Sequence, residues 1–371
     1  MFPAPQRNLV TGALLAMALV LAACAPAGEP SPVAPAQPTA APAKPTAAVQ
    51  PAAQPTAVAA QKAEPAAKPA AAKAPTRVEF LMPFVPPTEY PYFVVAQEKG
   101  FFAAEGLDVL IQEGTGSGNT VKTVGAGSVP IGLADANRIL AGRIEGAPVT
   151  AVGSLYYTSP TLVVSLKENN ITKLEDLIGK KLGDSPASAV LLTWRVGMAR
   201  AGLDYNKVDF VAVEPASKIP ALISRQVDAI TGQSQAADLL AEGVDVNVIN
   251  IELDAVADSF IVNDSFLQKD PETVRAFLRA ALKGVDYVKN NQSEALEYMV
   301  KRFPTVDRKK LEMRLQFELG WIYTKNTPAD RLGWQDLKLW RNLQDLMLET
   351  NQIDKKLELE TFVKNDYLPF K

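Results

Sequence analysis

The chain has 371 residues, a formal net charge of −3, one cysteine and no histidine. The lack of histidine excludes Ser-His-Asp and Cys-His catalytic units and imidazole metal ligands, and a single cysteine excludes an internal disulfide, a thiolate zinc site and an iron–sulfur cluster. The slightly acidic balance argues against a nucleic-acid partner, which requires a basic surface. The length suits two domains.

The N-terminus carries a secretory-signal pattern at residues 1–23. Arg7 precedes an uncharged, mostly apolar run, Leu9–Ala23, that is too short for a permanent membrane-spanning helix. The run ends in Leu21-Ala22-Ala23-Cys24, which resembles the lipobox of bacterial lipoproteins. The resemblance implies cleavage before Cys24 and lipid attachment, palmitate included, to that cysteine. The alternative is a plain signal peptide with an incidental cysteine.

The segment 24–75 is predicted to comprise the lipidated Cys24 and a disordered tether. It is dominated by alanine and proline and has no aromatic residue. Such a segment cannot bury enough apolar surface to offset its ordering entropy, and its prolines favour extended, polyproline-like stretches. We therefore predict that this long tether holds a folded domain at a distance from a membrane.

From residue 76 onward, short apolar runs alternate with amphipathic stretches, which is typical of βα units. The first set has predicted strands at Val78–Met82, Leu107–Ile111, Val129–Ala134 and Val149–Gly153, and helices at Tyr92–Ala104, Gly116–Gly125 and Asn137–Glu145. The second set has predicted strands at Thr161–Leu166, Lys181–Gly183, Val208–Val213, Val227–Thr231, Val246–Ile251 and Ser259–Val262, and helices at Ser188–Ala201, Ser217–Ser224 and Ala236–Glu242.

Beyond Asp270 the pattern becomes helical. Asp270 is a capping residue, Pro271 suits the first helical position, and Glu272 lies near the positive end of the helix dipole. Further helices are predicted at Ser293–Phe303, Asp307–Leu319 and Trp334–Asn351. Two βα sets followed by helices predict an α/β fold with two lobes, in which the last helices pack back on the first lobe.

Five segments together resemble the solute-binding proteins of bacterial ABC importers, in the group of the thiamine-pyrimidine-precursor, alkanesulfonate, nitrate and riboflavin receptors. They are Ala96–Val109, Lys173–Gly183, Ile219–Ala229, Pro271–Gly284 and Asn365–Pro369. The resemblance implies a periplasmic-binding-protein-like α/β fold, with lobe 1 at 76–160 plus 263–371 and lobe 2 at 161–262. It also implies two hinge crossings, near Thr158–Val164 and Ser259–Asn263, and a ligand held between the lobes.

In open α/β sheets the ligand cleft lies at the carboxyl ends of strands, so candidate site residues are sought just after strands. In lobe 1, Tyr90 and Tyr92 could stack on a flat ligand, although either could instead anchor the core. The resemblance assigns ligand contacts to the glycine-rich loop with Ser117 and Asn119, for which the alternative is a polar helix cap. The remaining candidates of this lobe are Asp135, which is equally suited to capping a helix, Asn137, and Tyr156 before the first crossing.

In lobe 2, Asp184 and Ser185 follow a predicted strand and could supply an acceptor and a donor. Gln233 lies where the group often places a further contact. No residue is predicted to be catalytic, and no cofactor or metal is expected.

These tyrosines, amides and acids suit a flat, neutral, hydrogen-bonding heterocycle better than an anion. Because lipid-anchored riboflavin receptors belong to the group, riboflavin is the preferred ligand. The alternatives are a thiamine pyrimidine precursor of the hydroxymethylpyrimidine type, an alkanesulfonate- or nitrate-like anion, and, in a different class, a pyrimidine synthase. The resemblance implies a membrane permease as partner, and we expect a monomer that is lipid-anchored on the outer face of the cytoplasmic membrane.

Overall fold

A computed structural model of the chain describes residues 74–84, 90–158, 161–186 and 188–370. The predicted signal peptide, the predicted lipidation residue Cys24 and the predicted tether up to residue 73 lie outside the described residues, as does part of the loop after the first strand, 85–89. Within the described ranges, no helix combines the length and the apolar character needed to cross a membrane.

The first sheet has five strands. They are β1 (Thr76–Leu81), β2 (Leu107–Gln112), β3 (Ile131–Asp135), β4 (Val149–Ser154) and β10 (Asp258–Asn263). Their order is β2-β1-β3-β10-β4, with β1 parallel to β2 and β3, and β10 antiparallel to β3 and β4. Every residue of β4 and β10 is buried. Helices and loops therefore cover both faces of the sheet at these two strands.

The second sheet repeats this plan. Its strands are β5 (Thr161–Leu166), β6 (Lys181–Asp184), β7 (Asp209–Ala212), β8 (Ala229–Thr231) and β9 (Val246–Ile251). Their order is β7-β6-β8-β5-β9, with β5 antiparallel to β8 and β9 and the other pairs parallel. The chain crosses between the sheets twice, from β4 to β5 and from β9 to β10. The predicted α/β class with two lobes and two crossings is confirmed.

Twelve α-helices are found in the described part of the chain. They are α1 (Pro91–Glu98), α2 (Phe101–Ala104), α3 (Ser117–Gly125), α4 (Ala136–Ile144), α5 (Ala189–Arg200), α6 (Lys218–Ile223), α7 (Gln233–Ala241), α8 (Asp264–Lys269), α9 (Pro271–Asn290), α10 (Gln292–Arg302), α11 (Arg308–Ile322) and α12 (Leu337–Glu349). The single helix predicted at Tyr92–Ala104 is two helices, because Gly100 adopts φ 69° between them and ends the regular α-helical hydrogen bonding.

Helix α9 supports the predicted site from behind. It begins as predicted, with the Asp270 carboxylate accepting a hydrogen bond from Thr273 N (3.2 Å) and Pro271 at the first helical position. Its apolar face packs against α1. At Gly284 the approach is so close that a Cβ would lie 2.5 Å from the carbonyl oxygen of Tyr92. This glycine therefore sets the position of α1.

The predicted lobe boundaries differ from the structure in two places. The second crossing is the segment 252–257, and β10 belongs to the first sheet. The boundary expected at residue 263 thus falls at the far end of a lobe 1 strand. Helix α11 lies within the stretch assigned to lobe 1, yet it packs more extensively on α7 of lobe 2 than on any other helix or strand.

Candidate functional site

In each sheet, the carboxyl ends of several strands lie at the edge where the chain crosses between the lobes. In lobe 1, β3 and β4 end, and β10 begins, at the edge from which the chain leaves for lobe 2 and to which it returns. In lobe 2, β6 and β8 end at the edge where β5 begins. The loops that follow these strands are therefore brought to the region between the lobes, where this architecture places ligands.

The three predicted tyrosines form one buried cluster at the lobe 1 edge. The Tyr90 hydroxyl donates to Asp258 Oδ2 (2.5 Å), and the hydroxyls of Tyr92 and Tyr156 hydrogen-bond each other (2.7 Å). The rings of Tyr90 and Tyr156 are stacked, with centroids 6.0 Å apart and planes inclined by 21°. Each tyrosine is at most 1% exposed. Sequence reasoning left site and core roles open for these residues, and here they are buried side chains at the carboxyl edge.

Glu318, on α11, completes this cluster from a distant part of the chain. Both of its carboxylate oxygens accept a hydrogen bond from Tyr90 N (3.1 and 3.0 Å), and its side chain is buried. Burial first, and then the Glu318 charge, raise the pKa of the Tyr92 phenol well above its ordinary value. Tyr92 therefore stays protonated and can donate a hydrogen bond.

Tyr90 itself adopts an unusual backbone conformation, with φ 63° and ψ 47°. This left-handed region is disfavoured for residues with a Cβ, and the following Pro91 further restricts its backbone. Strain of this kind persists where the surroundings hold it, and here Glu318 and Asp258 bind the amide and the hydroxyl of the same residue. Backbone conformations of this kind occur mostly at ligand-binding and active sites. This favours a functional role for Tyr90.

Asp135 connects the tyrosine cluster to the start of α4. Its backbone lies directly opposite Asp258 in the β3–β10 pairing, and its carboxylate caps α4 by accepting from Asn137 N (2.9 Å). Burial raises the pKa of the Asp135 carboxyl to about 6, while the Asn137 amide and Arg138 oppose the shift. Ser117 Oγ accepts from Asp135 N (3.0 Å) and so fixes the start of α3 at the same place.

Asn137 is buried at the start of α4, beside this carboxylate, whereas Asn119 lies further out. The Asn119 amide nitrogen donates to Thr115 Oγ1 (3.0 Å) and lines an open groove of about 720 Å³ between α3 and α4, to which Pro186 of lobe 2 also contributes. Arg138, in the same groove, donates to the Ser188 carbonyl oxygen (3.4 Å), a direct contact between the lobes.

The predicted lobe 2 residues surround a buried ion pair. The Asp184 carboxylate, fully buried, contacts the Lys218 ammonium and accepts from Thr231 Oγ1 (2.5 Å) and Ser185 N (2.7 Å). The ammonium also donates to the Thr231 carbonyl oxygen (3.1 Å). Gln233 is the first residue of α7, immediately beyond Thr231 and Gly232. These contacts hold the ends of β6 and β8 together beneath the edge that faces lobe 1.

The structure thus gathers Tyr90, Tyr92, Tyr156, Ser117, Asp135 and Asn137 at one edge, and Asp184, Ser185 and Gln233 at the other; Asn119 lies at the rim. Sequence reasoning missed Asp258, Glu318 and Lys218. Asp258 directly precedes a predicted strand and could have been found by its position alone. Glu318 interrupts the apolar series Leu311, Leu315, Leu319, and an acid on the buried face of an amphipathic helix is a usable signal.

Comparison with known proteins identifies the family. The family model described as "NMT1/THI5 like" matches residues 88–295, more than half of the chain, and the chain belongs to this family. It is 24% identical over 308 residues to riboflavin-binding protein RibY of Chloroflexus aurantiacus, covering 79% of this chain and 86% of that protein. It is 27% identical over 289 residues to a formylaminopyrimidine-binding protein of Halalkalibacterium halodurans, covering 72% and 85%.

A synthase is also among the relatives. The chain is 32% identical over 235 residues to 4-amino-5-hydroxymethyl-2-methylpyrimidine phosphate synthase THI11 of Saccharomyces cerevisiae, covering 57% of this chain and 67% of that protein. Among solved structures, the alkanesulfonate-binding protein SsuA from Xanthomonas axonopodis pv. citri, bound to MOPS, matches with a TM-score of 0.64 at 15% identity, covering 80% of this chain and 99% of that chain. The likeness confirms the predicted periplasmic-binding-protein fold.

Proposed function

We propose that this member of the NMT1/THI5-like family is the solute-binding component of an ABC-type importer, and that riboflavin is its ligand. The observation that carries the proposal is the cluster of three tyrosines and two acids at the lobe 1 edge: Tyr90, Tyr92, Tyr156, Asp258 and Glu318. The likeness to riboflavin-binding protein RibY over most of both chains supports the choice of ligand.

The chemistry of the cluster suits a flat nitrogen heterocycle. Tyrosine rings offer apolar faces to stack on, and their hydroxyls supply hydrogen bonds at the rim of a ring system. Carboxylates accept hydrogen bonds from ring N–H groups and from the hydroxyls of a polyol chain. Riboflavin carries all three features: an isoalloxazine ring, a ring N–H and a ribityl chain.

The charges disfavour an anion at this position. Asp135, Asp258 and Glu318 lie at the lobe 1 edge, and the buried lysine of lobe 2, Lys218, is already paired with Asp184. A sulfonate or nitrate brought among these acids would experience repulsion in a weakly polar environment. A neutral ligand that donates hydrogen bonds would not.

Ligand entry requires the cluster to open. A flat ring in van der Waals contact with two tyrosine faces needs about 7 Å between them, twice the usual carbon–carbon contact distance. The centroids of the Tyr90 and Tyr156 rings are only 6.0 Å apart, and the two rings are already stacked on each other. We therefore expect the ligand to displace one of these rings as the lobes open, and the lobes to close over it afterwards.

A formylaminopyrimidine or hydroxymethylpyrimidine is the second candidate. It is favoured by the 27% identity to a formylaminopyrimidine-binding protein and by the carboxylates, because an aminopyrimidine presents adjacent N–H donors. A pyrimidine synthase activity belongs to a different class. Resemblance to the eukaryotic synthases of this fold implies a need for histidine and clustered cysteines, whereas this chain has no histidine and one cysteine.

The deciding experiment compares the ligands directly. Purified protein is freed of bound small molecules and titrated with riboflavin, a formylaminopyrimidine and an alkanesulfonate, with unfolding temperature and riboflavin fluorescence as readouts. A true ligand at one hundred times its dissociation constant should stabilise the fold by about 2.7 kcal/mol. An unmoved unfolding temperature with saturating riboflavin would refute riboflavin, and mass spectrometry of the recovered ligand would reveal any chemical conversion.

A matched pair of tyrosine variants tests the site. Tyr90→Phe removes the hydroxyl bound to Asp258, and we expect riboflavin to bind about 3- to 10-fold more weakly. Tyr367→Phe makes the same change at a partly exposed tyrosine that stacks with Arg275, and should leave the affinity unchanged. Equal affinities for all three proteins would place the ligand elsewhere.

The lipid anchor and the permease complete the proposal. Cys24 is proposed to carry the lipid, and the tether to hold the two-lobed domain near a membrane permease on the outer face of the cytoplasmic membrane. In cells, Cys24→Ser should release the protein from the membrane fraction. A variant that stays membrane-bound and unlipidated would contradict the anchor. A permease gene next to the gene for this chain would support import over a purely sensory role.

A further inference from the structure

Helix α11 is fastened to lobe 2 by two ion pairs. Arg314 makes a two-pronged contact with Asp238 on α7, with Nη2 2.6 Å from Oδ1 and 2.7 Å from Oδ2, and both side chains are largely buried. Four residues earlier, Lys310 Nζ lies 2.5 Å from Glu242 Oε1 at the end of α7. A bidentate, largely buried arginine–carboxylate pair is both strong and geometrically specific.

Apolar packing reinforces this attachment. Leu311 and Leu315, on the same face of α11, belong to a buried apolar cluster that includes Ala236 and Leu239 of α7 as well as residues of α10, and α11 packs more extensively on α7 than on α10. The first half of α11 is thus held against α7 both by ion pairs and by apolar packing. Since α7 begins at Gln233, a predicted ligand contact, α11 is attached to an element of the proposed site.

Other contacts of α11 reach lobe 1 and the crossings. On α10 of lobe 1, Glu297 forms an exposed ion pair with Arg308 (2.6 Å), and Gln292 accepts a hydrogen bond from Gln316 Nε2 (2.8 Å). Glu318 accepts from Tyr90 N, and the Trp321 ring packs edge-to-face on Tyr156 with centroids 5.9 Å apart. The Trp321 carbonyl oxygen accepts from Tyr157 N (3.1 Å) in the first crossing. Just beyond the helix, Asn326 reaches Asp254 Oδ1 (3.3 Å) in the second crossing. The helix therefore ends at the hinge.

These attachments cannot all persist if the lobes separate. Either the ion pairs to α7 break and α11 stays with lobe 1, or Glu318 leaves Tyr90, the exposed contacts of α11 with α10 break as well, and α11 moves with lobe 2. The exposed Arg308–Glu297 pair is the weaker attachment, because solvent screens it, whereas Arg314 and Asp238 are largely buried. We propose the second: α11 moves as part of lobe 2, pivoting at its hinge end, and Glu318 is the positioning residue that crosses to lobe 1 and holds the tyrosine cluster only when the lobes are closed.

The geometry makes Glu318 sensitive to a small rotation. It lies four residues from the end of the helix at Ile322, about 6 Å along the axis. A pivot of about 20° at that end, within the range of hinge motions, would displace it by about 2 Å. Its hydrogen bonds to Tyr90 N, 3.0 and 3.1 Å long, would then break. The buried pair of Arg314 with Asp238 would remain intact.

The inference rests on the proposed function in only one respect, namely that closure serves ligand capture. Glu318 then binds Tyr90, the residue proposed to contact the ligand, only when the lobes are closed. A lobe 2 helix then contributes a side chain to the lobe 1 half of the site.

Distance measurements between spin labels test the proposal in the full chain carrying Cys24→Ser. Labels at exposed positions Asp108 on β2, Asp209 on β7 and Glu312 on α11 give three pairs. Glu318→Ala, without ligand, should raise the open population about tenfold or more, because it removes hydrogen bonds to a charged group. The Asp108–Asp209 and Glu312–Asp108 distances should lengthen, and the Glu312–Asp209 distance should stay fixed.

Two controls separate this role from a general loss of structure. Glu318→Gln, which keeps one acceptor, should open the protein less than Glu318→Ala, and Lys309→Ala, at an exposed position of the same helix, should not open it. The proposal would be overturned if the Glu312–Asp209 distance changed while the Glu312–Asp108 distance stayed fixed. It would also be overturned if no Glu318 substitution changed any of the three distances. Riboflavin is added in a separate arm, so a failure to bind it would refute the proposed ligand while leaving the result for Glu318 readable.

Discussion

The aspartate at the end of β3 allows a quantitative test of how the site is built. Asp135 is held at the lobe 1 edge opposite Asp258, and burial raises the pKa of its carboxyl from 3.8 to about 6. The substitution Asp135→Asn removes the charge and keeps a side chain that caps α4 equally well. Any stability difference between the two proteins therefore reports the cost of the buried charge.

The size and sign of this stability difference follow from the pKa of the Asp135 carboxyl, which is 3.8 in the unfolded chain and about 6 in the folded protein. Between pH 3.8 and about 6 the folded protein binds more protons at Asp135 than the unfolded chain does, so the contribution of this group to stability falls as pH rises. The loss is complete at about pH 7 and above. A pKa rise from 3.8 to about 6 corresponds to about 3 kcal/mol, which is an upper value because the Asp135 side chain is partly exposed.

Urea unfolding of both proteins, followed by tryptophan fluorescence from pH 4 to pH 8, measures this difference. We expect equal stability near pH 4, and Asp135→Asn to be more stable by up to about 3 kcal/mol at pH 7 and above, with the change centred between pH 4 and pH 6. The same variant should bind riboflavin more weakly if the carboxylate is an acceptor in the site. A stability difference that does not vary with pH would refute the reasoning.

Two further predictions concern the support of the site. Lys218→Met should destabilise the protein by about 3–5 kcal/mol in urea unfolding, because it leaves the buried Asp184 carboxylate without a compensating charge. Adding Asp184→Asn to this variant should restore most of the lost stability. A double variant as unstable as Lys218→Met alone would contradict this prediction. Gly284→Ala should cost about 1–3 kcal/mol and weaken ligand binding, because its methyl group would meet the carbonyl oxygen of Tyr92. Gly320→Ala, at an exposed helix position with open space around the added methyl group, should instead be neutral or stabilise by up to about 1 kcal/mol. Thermal unfolding of both glycine variants checks the pair, and equal losses would show that the close approach at Gly284 is irrelevant.

Local sequence signals predicted the elements well. The strands β5 and β9 have the predicted bounds, and the cap at Asp270 with Pro271 begins α9 as expected. These features depend on residues a few positions apart, whose hydrophobic period and capping chemistry are visible in the sequence. The break at Gly100 was missed because a glycine within an apolar pattern does not by itself reveal a left-handed φ.

The candidate site was predicted in part. Residues directly after strands, such as Asp135 and Asp184, lie at the facing edges because strand ends determine where their side chains go. Their particular roles were open: Asp135 caps a helix, and Asp184 holds a lysine. Neither role could be chosen from the sequence, because each depends on which loop or helix packs beside the strand end.

The α/β class, the order of the elements and the approximate ends of the strands could be read from the sequence, because they follow from short-range periodicity and turn chemistry. The convergence of Asp258 and Glu318 on Tyr90, from 168 and 228 residues further along the chain, could be seen only in the folded protein. Such contacts arise from the way the lobes and α11 pack together. Local sequence patterns carry no information about that packing.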